Sequence, residues 1–256
     1  MRRLTLVART IFIEALRRRE IYVIILITVA VLVLVSFARV FHLEYLHKFY
    51  QEIALKTMSV ATAITVIVLG ARQLPREFDN RTIYPLMAKP LARHEFLLGK
   101  YCGVVVAGLF CLMLFMAVFS AGALLMRMPI AWSVFAEFVY LQILLVAVLA
   151  ALSFLLSLVV HLDAAITVAT LIYLLGSALT NALSMIYGYV GAAGRAVLLV
   201  LNYTIPQPKL FDLSAKVIHN WPPVSAAILG LVTLYALMLI VPYLGLSYFL
   251  FRRRAL

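Results

Sequence analysis

Residues 73–101 read Gln73-Leu-Pro-Arg-Glu-Phe-Asp-Asn-Arg-Thr-Ile-Tyr-Pro-Leu-Met-Ala-Lys-Pro-Leu-Ala-Arg-His-Glu-Phe-Leu-Leu-Gly-Lys-Tyr101. This is the one long polar and charged segment that stands between apolar runs, and it leads directly into the next run. The rest of the chain explains why. Of its 256 residues, 66% are hydrophobic and 12% are charged. A soluble domain carries about 45–50% apolar and roughly 25% charged residues. No soluble fold hides that much apolar surface, so lipid is the solvent for most of this chain. The charges are mostly positive, 22 Lys and Arg against 10 Asp and Glu. In a soluble protein that excess points to nucleic acid. In a lipid-embedded chain, the positive-inside bias and anionic headgroups account for it, and no nucleic-acid partner is expected.

Outward from residues 73–101, six apolar runs are long enough to cross a bilayer, which takes about 20 residues. They fall near 21–37, 53–71, 101–126, 134–160, 164–187 and 224–251. Lys56, Thr57, Ser59, Thr62 and Thr65 dilute the second run, and Pro242 interrupts the last. Lys and Arg in the N-terminal segment, the connection between runs two and three, and the C-terminus number fifteen, against seven elsewhere. The expectation is therefore an all-α, multi-pass integral membrane protein of six transmembrane helices with both termini cytoplasmic, the connection 72–100 included on that side. Residues 1–20 place Leu4, Val7, Ala8, Ile11, Phe12, Ala15 and Leu16 on one helical face, opposite Arg3, Thr10, Glu14 and Arg17. That pattern predicts a basic amphipathic helix lying in the interface. A signal peptide cut after Ser36-Phe37-Ala38 is the competing reading, but the charged region is too long and is itself amphipathic. The outer connection 188–223 is the longest on its side. It carries an apolar stretch at 196–201, Asp212 as the expected cap of a short helix over 213–218, and Pro222-Pro223 opening the last span.

Little in the chain carries covalent chemistry. Gly99-Lys100 lacks the glycine spacing of a phosphate loop, since His94 stands where a glycine is needed. ATP hydrolysis is therefore not expected here. Cys102 and Cys111 read as small buried hydrophobes. His42, Glu44 and His47 match no tight metal spacing, and Met113, Met116, Met126 and Met128 read as flexible core filler. No metal site is expected. Glu137 is the chief ionisable residue inside a span, near its outer end and with no evident partner. Thr62, Thr65, Thr180, Asn181 and Ser184 are polar neutral groups that either join helices or line a path.

Within residues 73–101, Pro75 suits the first turn of a short helix, with Glu77 and Asp79 near its positive end. Phe78, Ile83 and Tyr84 set apolar anchors among the charges. A second helix is expected to start near 91–93 and to run through Glu95 and Phe96 into the third span, as a rigid lever. An ordinary solvated inside loop explains the Lys and Arg but not the mixture of prolines, acids and aromatics.

These residues resemble a known family. Leu74-Pro-Arg-Glu-Phe-Asp-Asn-Arg-Thr-Ile83, Leu86-Met-Ala-Lys-Pro90 and Arg93-His-Glu-Phe-Leu-Leu-Gly-Lys100 look like the coupling region of type-2 ABC exporter permeases. They are most similar to the branch associated with multicopper-enzyme maturation. Tyr248-Phe-Leu-Phe-Arg-Arg-Arg254 and Leu210-Phe-Asp-Leu-Ser214 resemble the same branch. Arg81 and Ala92 depart from it, standing where Gly and Ser are frequent. The resemblance implies one transmembrane permease domain over 1–256, in the bacterial cytoplasmic (inner) membrane. It implies a dimer with a second permease copy, identical or a close paralogue, each bound to one ABC ATPase subunit that holds ATP and Mg²⁺. This chain would then hold no cofactor of its own. ATPase contact would fall to a coupling helix, with Pro75, Arg76, Glu77, Phe78, Asp79, Arg81, Arg93 and Glu95, and the path to Thr62, Thr65, Asn181 and Ser184. An accessory subunit on the outer connection is open.

Two other readings stand beside the permease. A membrane-embedded lipid enzyme needs clustered Asp, His or Ser at the interface, and only His161-Leu-Asp163 offers any. A non-transporting scaffold that anchors or regulates an ATPase-containing complex shares the coupling region, and only function separates it from a permease.

Overall fold

A computed structural model describes residues 46–75, 93–125 and 131–254, together with helical positions 26, 29, 30 and 33 of the first apolar run. The expected interfacial helix 1–20, most of the first span, His42, Glu44, Met126, Met128 and the connection 76–92 lie outside the described residues. Seven α-helices are described: α1 (Leu46–Gln73), α2 (Arg93–Leu125), α3 (Trp132–Val159), α4 (Leu162–Ile186), α5 (Ala192–Thr204), α6 (Ser214–Ile218) and α7 (Ala226–Arg254). Short 3-10 segments cover Tyr187–Tyr189 and Pro208–Phe211, and no strand occurs among the described residues. Five of the helices, α1, α2, α3, α4 and α7, are long and apolar enough to cross a membrane. The protein is an all-α integral membrane protein, and these five carry the second to sixth apolar runs.

The packing follows from how apolar each helix is around its circumference. α3 is apolar on every face, as a central helix must be. It packs against α1, α2, α4 and α7, while α4 and α7 leave most of their surface outward. Small residues set the closest approaches, because packing between spans is driven by surface fit rather than by expulsion of water. A Cβ on Gly108 of α2 would meet Val66 of α1 at 2.5 Å and Val146 of α3 at 2.9 Å. Gly70 of α1 lies against Ser153 of α3 in the same way, at 2.9 Å. Pro242 sits inside α7 without ending it.

The bundle has two ends. The end that carries the 76–92 connection and the C-terminal arginines is here the basic end; the other is the far end. Trp132 opens α3, Tyr187 and Tyr189 follow α4, and Trp221 precedes α7. All four are exposed, as in an aromatic belt at a membrane interface. The belt places the far boundary of the bilayer at this level.

Segment 188–223 is not draped over that boundary. α5 runs back from the belt along α4, with most of its described side chains exposed. Pro206, beyond its end, lies against Gly176 of α4, where a Cβ would meet the Pro206 carbonyl at 2.8 Å. Gly176 stands about 15 Å along α4 from its far end, at 1.5 Å per residue. The segment therefore re-enters the bilayer, which is tolerated only where its backbone is buried in protein and its polar groups are satisfied. Side chains of the surrounding spans do this. Tyr243 OH donates to the Thr204 carbonyl, Tyr235 OH to the Ile205 carbonyl at 3.1 Å, and Gln142 Nε2 to the Phe211 carbonyl at 3.2 Å. Phe211 is fully buried and stacks on Tyr235, with ring centres 6.2 Å apart.

Four local expectations are corrected here. The helix expected over 213–218 begins at Ser214 with Leu213 as its cap residue; Asp212 lies one residue earlier and accepts the Ser214 N–H at 2.9 Å. Pro222-Pro223 stops three residues short of α7, which begins at Ala226. Glu137 does have a partner, since its Oε2 accepts the Val224 N–H at 3.0 Å and ties α3 to the chain entering α7. Cys102 is exposed rather than buried, while Cys111 is buried as expected; nine residues apart on one helix, the two face opposite sides.

Candidate functional site

Two places in the fold gather polar chemistry. The first is the base of the 76–92 connection. Pro75 is helical after a turn at Leu74, and Leu74 is completely buried, so the chain leaves α1 from an anchored position. On the return side, Arg93 is the first residue of a single 33-residue helix. At 1.5 Å per residue α2 is about 50 Å long, well beyond the roughly 30 Å of hydrocarbon. The expected second helix is therefore continuous from Arg93 into the span. Glu95 is partly exposed in its first turn, where a carboxylate meets the positive end of the helix dipole. Arg76, Glu77, Phe78, Asp79 and Arg81 lie outside the described residues.

The foot of α2 is tied to three other helices. Lys100 is 4% exposed, and its Nζ donates to the Gln73 carbonyl at 2.9 Å. That carbonyl is one of the last four of α1, which have no partner within the helix, and a cation there also complements the dipole. The same ammonium stands 5.1 Å from the ring centre of Phe96. Phe96 stacks on Phe251 of α7, with centres 6.1 Å apart, and Tyr101 OH donates to the Ala147 carbonyl of α3 at 3.1 Å. Contacts to α1, α3 and α7 thus gather within about two turns of Arg93.

The second place is a cavity of about 180 Å³ between α1, α3, α4 and the re-entrant segment. Lys56 and Ser59 enter it from α1, Gln142 from α3, Tyr173 and Ser177 from α4, and Lys209 and Asp212 from the re-entrant turn. Val60, Leu145, Leu174 and Pro208 complete the wall. The turn is preorganised. The Leu210 N–H donates to the Gln207 carbonyl and the Asp212 N–H to the Lys209 carbonyl, at 3.1 and 3.3 Å. Phe211 pins its apex and the Ser214 N–H holds one oxygen of Asp212. Gln142 stands ten residues into α3 from Trp132, so the cavity lies about 15 Å below the aromatic belt.

The four path residues expected from sequence fall into two environments. Thr62 and Thr65 are buried in the bundle, 1% and 2% exposed; Thr65 Oγ1 donates to the Ala61 carbonyl, and Thr62 Oγ1 has no partner. Asn181 and Ser184 are exposed on α4, with Ser184 Oγ donating to the Asn181 carbonyl. They continue the α4 stripe that begins at Ser177, at helical spacing toward the far end. There Ser184 and Asn202 line a second cavity, of about 170 Å³, between α4 and α5. Sequence reasoning missed the first cavity. It read Lys56 as a dilution of its run, Lys209 as loop charge and Asp212 as a cap. An ammonium in the middle of an apolar run was the available sign. Among the described residues no group of three or more His, Cys, Asp and Glu is placed to hold a metal. Met113 faces outward on α2.

Comparison with known proteins gives one finding over nearly the whole chain. Residues 12–256 match the family described as ABC-2 family transporter protein. No curated protein matches the chain.

Proposed function

This chain belongs to the ABC-2 family of transporter proteins, and from that premise we propose that it forms the path of an ATP-driven exporter and is driven through residues 75–95 by a separate ABC ATPase. It is a multi-pass membrane component of an ABC transporter, and membership implies pairing with an ABC ATPase subunit. ATP and Mg²⁺ would be bound on that subunit, since this chain has no phosphate loop. The observation that carries the coupling is the foot of α2. A helix that projects past the bilayer and is tied through Lys100, Phe96 and Tyr101 to three spans converts a push on the 76–92 connection into motion of the bundle.

In this reading Pro75, Arg76, Glu77, Phe78, Asp79, Arg81, Arg93 and Glu95 meet the ATPase. The path runs along the α4 stripe through Asn181 and Ser184, between this chain and a second permease copy. Thr62 and Thr65 join it only when α1 moves. The termini are cytoplasmic, the membrane is the bacterial inner membrane, and the narrower likeness to permeases of multicopper-enzyme maturation belongs to the same proposal.

The test is a pull-down in detergent of the wild type and of a Glu77→Ala/Phe78→Ala variant, with the bound proteins identified. An ABC ATPase that accompanies the wild type and is lost in the variant supports the coupling. A folded wild type that brings down no ATPase sinks it. If the ATPase binds but reconstituted vesicles move no cargo, the scaffold reading replaces the permease.

A further inference from the structure

A line of charged side chains leads from the far end of the bundle to the cavity beside the re-entrant turn. Lys48, Glu52 and Lys56 of α1 are all exposed and stand four residues apart, so they share one face of the helix. Lys56 is at the cavity wall, and Glu52 and Lys48 lie one and two turns from it toward the far end. Their charges alternate in sign, the pattern of a helix face in water. On α4, Ser177 is at the same wall. Lys209 and Asp212 of the turn meet this space too, and both are exposed.

Three helices agree on how deep this is. Gln142 is ten residues into α3 from Trp132, and Ser177 is ten residues into α4 from Tyr187, each about 15 Å along its helix. On α1, Tyr50 stacks on Phe119, and Phe119 on Phe135, three residues past Trp132. Lys56 is six residues past Tyr50, which puts its backbone about 14 Å below Trp132. The interfacial layer outside the hydrocarbon is only about 5–7 Å thick on each side. A lysine snorkels out of such a depth, but the short side chain of Asp212 does not. Its place is fixed, because the Phe211 carbonyl just before it accepts Gln142 Nε2. Lipid excludes an exposed carboxylate at this level. The charged face of α1 that leads to it is the route by which water arrives.

We infer that this cavity is the inner end of a water-filled vestibule, which opens on the far side along Lys48, Glu52 and Lys56 and is lined by residues of a single chain. Polar solutes on that side reach Ser177 and Asp212 without entering lipid. Leu175, two residues from Ser177 but 49% exposed on another face of α4, meets lipid instead. That the vestibule is the far-side mouth of a path for polar cargo rests on the permease reading; its hydration does not, and is measured on this chain without an ATPase.

The experiment is cysteine accessibility in membranes, on the full chain with Cys102→Ser to remove the exposed thiol. The probe is 2-(trimethylammonium)ethyl methanethiosulfonate, a cation that does not cross lipid. His219→Cys, on the exposed far turn, shows which membrane preparation presents that side. In that preparation Ser177→Cys and Lys56→Cys should both be modified, and Ser177→Cys at least about tenfold faster than Leu175→Cys, because only a thiol in water forms the reactive thiolate. Ser177→Cys is a near-isosteric change, which guards against a fold defect in the lysine variant. Two unmodified cysteines beside a modified His219→Cys would mean a cavity closed to water and overturn the inference. Modification only from the opposite side would overturn the far-side opening. Equal rates at Ser177→Cys and Leu175→Cys would show general access around α4 rather than a vestibule, and overturn it as well.

Discussion

At the scale of single residues, two polar contacts decide how the helices are joined. Lys100 supplies a donor that the end of α1 would otherwise lack, at a position with almost no access to water. Replacing it with Met leaves the Gln73 carbonyl buried and unpaired. Such a group costs about 1–3 kcal/mol, and the thermal midpoint of the detergent-solubilised Lys100→Met protein should fall by about 5 °C. A midpoint equal to the wild type would show that α1 is not held there. Glu137 makes the matching contact at the far end, with the Val224 N–H. Glu137→Gln retains an acceptor and Glu137→Ala does not. The expected order of stability is wild type, Gln, Ala, with about 1 kcal/mol between the last two in a denaturant or thermal series. The reverse order would mean that the carboxylate is tolerated rather than used. From sequence, Lys100 was legible as positive-inside charge and Glu137 as an ionisable residue in a span. Neither partner was, because both are backbone groups distant in the chain, at separations of 27 and 87 residues.

At the scale of elements, the re-entrant segment is the part whose form depends most on its surroundings. The run 196–201 has the composition of a helix, and α5 is one. Nothing in its own residues says that it descends into the bilayer. The side chains that permit this belong to α3 and α7: Gln142, Tyr235 and Tyr243 donate to carbonyls that a non-helical turn leaves free. Removing two of these donors in Tyr235→Phe/Tyr243→Phe should loosen the turn without unfolding the bundle. Hydrogen–deuterium exchange over 204–212 should quicken by about tenfold, in line with the 0.6 kcal/mol or more that each interhelical bond contributes in membranes. Exchange in α3 should stay unchanged. Equal protection in variant and wild type would show that Phe211 and the approach to Gly176 suffice. By contrast α2 was legible almost to its first residue, since the apolar run and its amphipathic lead-in are continuous in sequence.

At the scale of the whole molecule, the distribution of burial separates two kinds of surface. α3 is enclosed, while α4 and α7 remain open, α4 along the stripe of Ser177, Asn181 and Ser184. A path between two copies predicts that α4 faces α4. In a Cys102→Ser background, which removes the exposed thiol, Asn181→Cys on the exposed stripe should give a disulfide-linked dimer on mild oxidation in membranes. Buried Cys111 should not take part. Monomer alone under those conditions would place the contact elsewhere, on α7 or on the first span.

The sequence by itself determined the solvent, the class of fold, the presence of the five long helices and the family; α1 begins at Leu46, seven residues before its run. All four follow from local composition: an apolar run of membrane length has no other stable environment, and the coupling segment is a continuous stretch of residues. The tertiary structure alone decided that Lys56, Gln142, Tyr173, Lys209 and Asp212 share one cavity, and that an outer connection turns inward at Pro206. These residues come from four separate elements. What brings them together is the absence of a Cβ at Gly176 and the satisfaction of three carbonyls of the turn, which no stretch of one-dimensional pattern contains.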